Sequence, residues 1–255
     1  MEPPSGKGLP MQTASTVQKA ELFGPLDTSH LLIEDDTPVD NIFTEKQERL
    51  LTAPLYASWS GPPCEEGQEP RNFEVLANVG LFHSRHEQAI VPDIMLSVDV
   101  KIRDDLSKRE NRTYFDWEFG KGPEVVIEIV SNGEGAELGE KMKRYRKMRI
   151  PYYVVFDPLH QLGSTTLRSF ELHGQLYIAL DRHYFEPIGL GLVEWTGTHE
   201  KHVATWLRWC TKDGTLIPTA EERAAVAEKR ADDERKRADA LADRLRAMGI
   251  DPNAI

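Results

Sequence analysis

The stretch PEVVIEIVSNGEGAELGEKMKRYRKMRIPYYVVFDP, residues 123–158, decides the fold of this chain of 255 residues. Its first apolar run, residues 124–130, is short and rich in β-branched side chains, which is typical of a strand buried on both faces. Residues 137–148 then have the charge order of a helix, with acids in the first turn and basic residues behind them. Pro151 ends that helix, and residues 152–156 form a second apolar strand. A strand–helix–strand unit of this size predicts a right-handed crossover within a mixed or parallel sheet.

Two acidic residues occupy positions where a strand should be apolar. Glu128 interrupts the first run, and Asp93 lies just inside residues 90–100, which we interpret as a strand entered through Pro92. A carboxylate in such surroundings is costly unless it is paired, hydrogen-bonded or bound to a metal. If the two strands are neighbours, both carboxylates converge at one end of the sheet. With a backbone carbonyl and waters they could bind Mg²⁺, and the alternative is a pair of capped structural acids.

A lysine on the predicted helix could complete this site. Lys141 lies one helical turn beyond the strand end, with Tyr145 four residues later on the same helix face. A lysine there could orient an attacking water or neutralise charge in a transition state, while a metal activates water for attack on a phosphodiester. Residues 137–149 hold six basic residues against two acidic ones, and form either a solvated face or a nucleic-acid contact. The aromatic and acidic segment 114–118 is the other candidate contact.

Composition limits the classes of function. The formal net charge is −11, which argues against a protein that coats nucleic acid non-specifically, although a local basic site remains possible. Cys64 and Cys210 lack the spacing of metal ligands, and nothing marks an export signal, so we expect a reducing, cytoplasmic location. The sequence has no stretch of about 18 apolar residues, so we expect neither a membrane-spanning helix nor a membrane partner.

Composition also divides the chain. Residues 1–38 are rich in Pro, Gly, Ser and Thr and predict a mobile leader. Residues 39–217 have the patterns of one domain that begins with a helix over 39–53, for which Thr44 is the candidate cap. Residues 218–249 predict a C-terminal helix, and residues 250–255 form a short tail.

The C-terminal helix has the heptad spacing of a coiled coil. Small or apolar residues recur at intervals of four and three, with one acid among them, so a seam runs along one face. The seam positions are Ala220, Ala224, Ala227, Ala231, Glu234, Ala238, Leu241, Leu245 and Met248. Residues 219–248 contain eight basic and eight acidic residues, so the negative charge belongs to the rest of the chain. An Ala-rich seam buries little area, and we expect the helix to pair with a copy of itself or to pack on the domain; a solvated single helix is the alternative.

Several motifs follow one another along the chain in a fixed order. They are Val91-Pro92-Asp93, residues 123–131, Gly139-Glu140-Lys141 with Tyr145, and residues 151–158. This ordered set, within about residues 40–215, resembles the Uma-type restriction endonuclease family of the PD-(D/E)XK nuclease superfamily. The order of the motifs makes the resemblance specific.

The resemblance implies an α/β fold, with a restriction-endonuclease-like core in which helices flank a central mixed β-sheet. Asp93, Glu128 and the carbonyl of Ile129 correspond to metal ligands, and Mg²⁺, or alternatively Mn²⁺, is the implied ion. Asp93 and Glu128 correspond to catalytic residues, and DNA is the implied substrate. The sequence departs from the superfamily at Val130, where a lysine is expected. The lysine of the helix, Lys141, is then the implied catalytic lysine.

Two site residues within that resemblance have alternatives. Lys143 is a poorer candidate than Lys141, because it lies about 200° round the helix. The superfamily often has one more acid on the first helix, and either Glu45 or Glu48 could serve.

The sequence thus predicts a metal-dependent endonuclease that hydrolyses DNA, and the C-terminal helix would make it a homo-oligomer with two active sites. The alternative is a nuclease fold with a weakened site that acts as a DNA-binding or protein-interaction module. A third reading is a structural oligomer whose strand acids are simply paired.

Overall fold

A computed structural model describes residues 41–131, 136–249 and 251. The predicted leader over 1–38 and most of the predicted tail lie outside the described residues. The helices are α1 (Ile42–Ser58), α2 (Asp116–Phe119), α3 (Met142–Lys147) and α4 (Ala220–Ala247). The strands are β1 (Phe73–Ala77), β2 (Leu81–Phe82), β3 (Ile94–Val98), β4 (Tyr114–Phe115), β5 (Val125–Ile129), β6 (Tyr152–Phe156), β7 (Leu167–His173), β8 (Leu176–Ala179), β9 (Tyr184–Phe185), β10 (Leu190–His199) and β11 (His202–Cys210). A 3-10 turn (Arg109–Arg112) and a π turn (Glu137–Lys141) complete the elements.

A six-stranded mixed sheet forms the centre of the domain, in the order β1-β3-β5-β6-β7-β8. The strands β5 and β6 pair in parallel, and the other neighbours are antiparallel. Every residue of β3, β5 and β6 is buried, because both faces of the sheet are covered. This double burial explains why β5 and β6 are continuous apolar runs. The predicted α/β class and central mixed sheet flanked by helices are confirmed.

The two faces of the sheet are covered differently. On one face α1 and a second sheet, β11-β10-β9, enclose a large core that includes Leu51, Leu55 and Trp209. On the other face α3 packs through the buried Tyr145, and the short parallel pair β2–β4 lies beside it. Gln47 fixes α1 in place, because its side-chain amide accepts from and donates to the backbone of Leu207, at 2.8 Å in each direction.

The start of α1 differs from the sequence prediction. Thr44 was the candidate cap, but the side chain of Asn41 caps the helix and accepts the N–H of Thr44 at 3.0 Å. An extended Asn before the first turn is a favoured cap, because its side chain pairs a backbone donor that the helix leaves unpaired. The helix also continues past Pro54 to Ser58.

The helix that was predicted over 137–148 begins as a π turn. The N–H of Lys141 donates to the carbonyl of Ala136, five residues earlier, at 3.0 Å, which is the spacing of a π-helix. The hydroxyl of Tyr153, on β6, donates a hydrogen bond to the carbonyl of Glu137, at 2.8 Å. The start of this helix therefore has π geometry, and π turns of this kind are frequent at functional sites.

Helix α4 contacts the domain at its first turn. Thr219 and Glu222 form a capping box, and both nitrogens of the Arg208 fork donate to the carboxylate of Glu222, at 2.8 and 2.6 Å. The helix has 28 residues, about 42 Å of length, and none of them is buried. The predicted seam is therefore exposed in a single chain, and its pairing stays a prediction. Within the described ranges, no helix combines the length and the apolar character needed to cross a bilayer.

Candidate catalytic site

The candidate site lies where β5 and β6 end, next to the start of β3. Antiparallel pairing of β3 with β5 places Ile94 opposite Ile127, and one further step brings Asp93 opposite Glu128. Asp93 immediately precedes β3, whereas the sequence placed it just inside that strand. A carboxylate oxygen of Asp93 accepts the backbone N–H of Ile129 at 2.5 Å. The two acids that were singled out in the sequence are therefore neighbours in space.

Glu128 is the centre of this arrangement and is completely buried. The Nζ of Lys141 lies 2.6 Å from one of its carboxylate oxygens, and the hydroxyl of Tyr145 donates to the other. Lys143 is excluded from the cluster, since it pairs with Glu140 on the solvent side of α3. The structure thus brings together Asp93, Glu128 and Lys141, and adds Tyr145 as a fourth member.

The electrostatics of the cluster are unbalanced. Burial and the charge of Asp93 raise the pKa of Glu128 to about 8, although Lys141 and Tyr145 act in the opposite direction. Burial lowers the pKa of Lys141, but the charge and hydrogen bond of Glu128 outweigh it, and the pKa of Lys141 is raised. One lysine therefore does not compensate for two acids in a desolvated position. A further cation would relieve this imbalance.

The donors at the site suit a hard cation. The two carboxylates and the adjacent backbone carbonyl of Ile129 are oxygen donors, which Mg²⁺ prefers, and Mg²⁺ usually keeps several waters. The described part of the chain contains no cluster of three or more His, Cys, Asp or Glu side chains that could hold a metal. A metal here would therefore depend on two side chains, a carbonyl and water or substrate oxygens, which is a common way for proteins to bind Mg²⁺.

Comparison with known proteins gives the family of the chain. The model of the family Uma2, described as putative restriction endonuclease, matches residues 33–181, more than half of the chain. The chain belongs to the Uma2 family. The matched region contains all four residues of the cluster and ends before the second sheet and α4. No curated protein matches the chain.

In this member of the Uma2 family, a third acid approaches the site from α1. Glu48 is buried, and the side-chain amide of Asn78 donates to both of its carboxylate oxygens at 2.9 Å. The backbone N–H of Asn78 also donates to the carbonyl of Asp93, at 3.2 Å. Glu45 is partly exposed and pairs with Arg49. The structure therefore connects Glu48, and not Glu45, to the strand that carries Asp93.

Sequence reasoning overlooked two polar contributors to this region. Asn78 was not among the candidate residues, although it joins α1 to Asp93. Glu137 was interpreted only as an acid in the first turn of a helix, but it is buried, and one carboxylate oxygen lies 3.8 Å from the Nζ of Lys141. Its other oxygen has no hydrogen-bond partner in the described structure. Nothing in the local sequence distinguishes either residue from its neighbours.

The two segments that were predicted to touch nucleic acid are partly occupied by internal contacts. On the basic helix Lys147 pairs with Glu87, and Arg144 donates to the carbonyl of Gln88 at 2.8 Å. The segment 114–118 splits into β4 and the single turn α2, and Asp116 pairs with His83. Much of the local positive charge is therefore balanced within the domain.

Proposed function

We propose that this chain is a Mg²⁺-dependent endonuclease that hydrolyses phosphodiester bonds of DNA. The observation that carries the proposal is the completely buried Glu128 beside Asp93, with Lys141 Nζ 2.6 Å from its carboxylate. Membership of a family described as putative restriction endonuclease supports the same reaction class. The free cysteines Cys64 and Cys210 fit a cytoplasmic protein.

The positions of the residues in the cluster indicate the role that each would have in the reaction. Asp93, Glu128 and the carbonyl of Ile129 would hold the metal, and the bond from the N–H of Ile129 orients Asp93. The chemistry that bound Mg²⁺ or Mn²⁺ supplies is activation of water and stabilisation of charge on the phosphodiester. Lys141 is the group that would position that water or neutralise charge on the phosphate.

Two further residues would support the metal ligands. Tyr145 holds one oxygen of Glu128 by a hydrogen bond, which fixes the direction of the other. We assign the additional acid of the first helix to Glu48, because Asn78 ties it to Asp93.

Self-association through α4 belongs to this proposal. A double-strand cut needs two active sites, and the exposed seam of α4 offers a surface for a second copy. The seam is flanked by a row of arginines, and the residues of that row are Arg223, Arg230, Arg237 and Arg244. In an antiparallel pair these arginines would face each other, so their repulsion disfavours that orientation.

The second candidate function is a nuclease fold with a weakened site that binds DNA or protein without cutting. Two observations favour it: Val130 stands where the superfamily has its lysine, and the net charge of −11 opposes DNA affinity. The two candidate functions differ in a measurable way, since only the endonuclease would nick or linearise supercoiled plasmid.

The test is conversion of supercoiled plasmid by the full chain in Mg²⁺, in Mn²⁺ and in EDTA. We expect nicking or linearisation that EDTA abolishes and that Glu128→Gln, Asp93→Ala and Lys141→Ala each slow by at least about a hundredfold. Lys143→Ala is the matched control, because that lysine lies on the same helix and faces solvent. Undiminished cleavage by Glu128→Gln would refute the assigned site. Binding of plasmid by the wild type without any cleavage would favour the module.

A further inference from the structure

Arg168, the second residue of β7, is a cation without a matching anion. One of its terminal guanidinium nitrogens, Nη1, is buried and has no hydrogen-bond partner in the described chain. The other, Nη2, donates only to the carbonyl of Leu162, at 3.3 Å. No acid among the described residues forms an ion pair with it. A guanidinium offers five donors, and leaving them unpaired away from water is unfavourable.

The strand register places Arg168 on the same face of the sheet as Glu128. Glu128 lies opposite Val155 in the parallel pair β5–β6, and Val155 lies opposite Arg168 in the antiparallel pair β6–β7. Residues that face each other across paired strands share a sheet face, so these three form one row. With strands about 4.8 Å apart, the backbones of Glu128 and Arg168 are about 10 Å apart. The row lies near the end of β6, at the edge where Asp93 and Glu128 meet.

The nearest structural explanation for Arg168 fails. Asp157 follows β6 and is completely buried, so it is the natural candidate for a structural partner. Its two oxygens instead accept the backbone N–H groups of Gln161 and Leu162, at 2.8 and 2.7 Å. Asp157 therefore stabilises its own loop and leaves the guanidinium unpaired.

We propose that Arg168 binds a non-bridging phosphate oxygen of the nucleic-acid strand in the candidate site. This inference rests on the proposed function, because it takes the Asp93–Glu128 edge as the place where the strand lies. The planar guanidinium fork matches the geometry of a phosphate and can bind two of its oxygens at once. One of the three N–H donors of Lys141 is used by Glu128, whereas the donors of Arg168 have almost no partner within the described chain.

The test is the salt dependence of DNA binding in EDTA, measured by fluorescence anisotropy with a labelled duplex and the full chain. We expect Arg168→Gln to weaken binding about tenfold or more and to reduce the slope of log K against log salt by about 0.9, the value for one lost phosphate contact. Arg168→Lys should keep most of the slope, because it keeps the charge. Arg182→Gln, which removes an exposed arginine between β8 and β9, is the matched control and should match the wild type.

Thermal unfolding distinguishes a binding role from a structural one. Because Arg168 has almost no partners within the protein, Arg168→Gln should leave the Tm unchanged or raise it. A lowered Tm with unchanged affinity and slope, or a wild-type slope in Arg168→Gln, would overturn the assignment. If Arg168→Gln does not fold, Arg168→Lys decides: a loss of the slope in that variant would exclude a contact that depends on charge.

The outcomes also separate this inference from the proposed function. Wild-type protein that binds DNA with Arg168-dependent affinity but never cleaves it would refute the hydrolase and leave the phosphate contact standing. Cleavage by the wild type, together with an affinity and salt slope that Arg168→Gln leaves unchanged, would refute the phosphate contact and leave the hydrolase standing. A wild-type protein that neither binds DNA nor cleaves plasmid in Mg²⁺ or Mn²⁺ would refute both.

Discussion

Two ion pairs in this protein each join a glutamate to a basic residue and have one buried member, but their electrostatic balance is opposite. In the first, the buried member is the acid Glu128, whose pairing to Lys141 is opposed by the neighbouring charge of Asp93. In the second, the buried member is Arg208, whose fork donates to both oxygens of Glu222. The pKa of Glu128 is raised by burial, whereas the hydrogen bond of Arg208 lowers the pKa of Glu222.

The surroundings explain the difference. Arg208 also donates to the carbonyl of Ile217 at 3.0 Å and stacks on the ring of Trp195, so its positive charge is well accommodated. Glu128 has two hydrogen-bond donors, but a second acid lies beside it. A satisfied buried pair stabilises a helix start, while an unsatisfied one is a place where a cation gains free energy by binding. The comparison therefore separates a structural anchor from a candidate catalytic site.

The largest expected contrast comes from neutralising the buried member of each pair. Arg208→Met should reduce the free energy of unfolding by about 2–4 kcal/mol, because it removes the hydrogen bonds to Glu222 and to the carbonyl of Ile217 that anchor α4. For a chain of this size that loss lowers the Tm by about 5–10 °C. Glu128→Gln should leave the Tm unchanged or raise it in EDTA, since it removes an uncompensated buried acid. Differential scanning calorimetry of both variants in EDTA measures the contrast.

Arg182→Met controls for the loss of a surface arginine and should unfold like the wild type. If Glu128→Gln were the less stable variant and Arg208→Met the neutral one, the two sites would have the opposite roles.

A smaller effect is expected when the seam of α4 is disrupted beyond its anchor. Leu241→Glu with Leu245→Glu places charge on the seam, and should convert a dimer into the 28.9 kDa monomer in sedimentation equilibrium. Val226→Glu is the matched control, because Val226 is as exposed as Leu241, at 60% against 59%, but lies off the seam. A wild-type protein that already sediments as a monomer would contradict self-association through α4.

The sequence was sufficient for the strand–helix–strand unit because its signals are local. Both buried strands, β5 and β6, are continuous apolar runs, and Pro151 marks the end of the helix. The convergence of Asp93 and Glu128 also follows from the pattern, once their strands are neighbours.

The finer features of the site depend on contacts between distant residues, and no local pattern carries them. In the π turn, the carbonyl of Glu137 accepts the hydroxyl of Tyr153, which lies on β6. Glu48 and Glu45 are one helical turn apart, and it is the burial of Glu48 and its contact with Asn78 that distinguish them. Arg168 shares a row with Glu128 through the register of three strands, which the sequence does not reveal.

The smallest and most specific prediction is that the two pairs give stability curves of opposite slope against pH. Glu128 has a folded-state pKa raised from 4.5 to about 8, so its contribution is fully present below pH 4.5 and is lost as the pH rises through about 8. Glu222 has a lowered pKa, so its contribution is present above pH 4.5 and is lost as the pH falls through the folded-state value. Urea denaturation in EDTA, from acid to pH 9, measures both.

Glu128→Gln should therefore flatten the alkaline limb of the curve and leave the acid limb unchanged, and Glu222→Gln should do the reverse. Each variant is the control for the other, because both replace a glutamate by its neutral isostere, and Gln can keep the capping box of α4. Two variant curves that run parallel to that of the wild type would remove the electrostatic basis of the comparison. A flattened alkaline limb in Glu128→Gln alone would instead mark Glu128 as the acid that binds a proton when no metal is present, and would explain why metal binding there should release one.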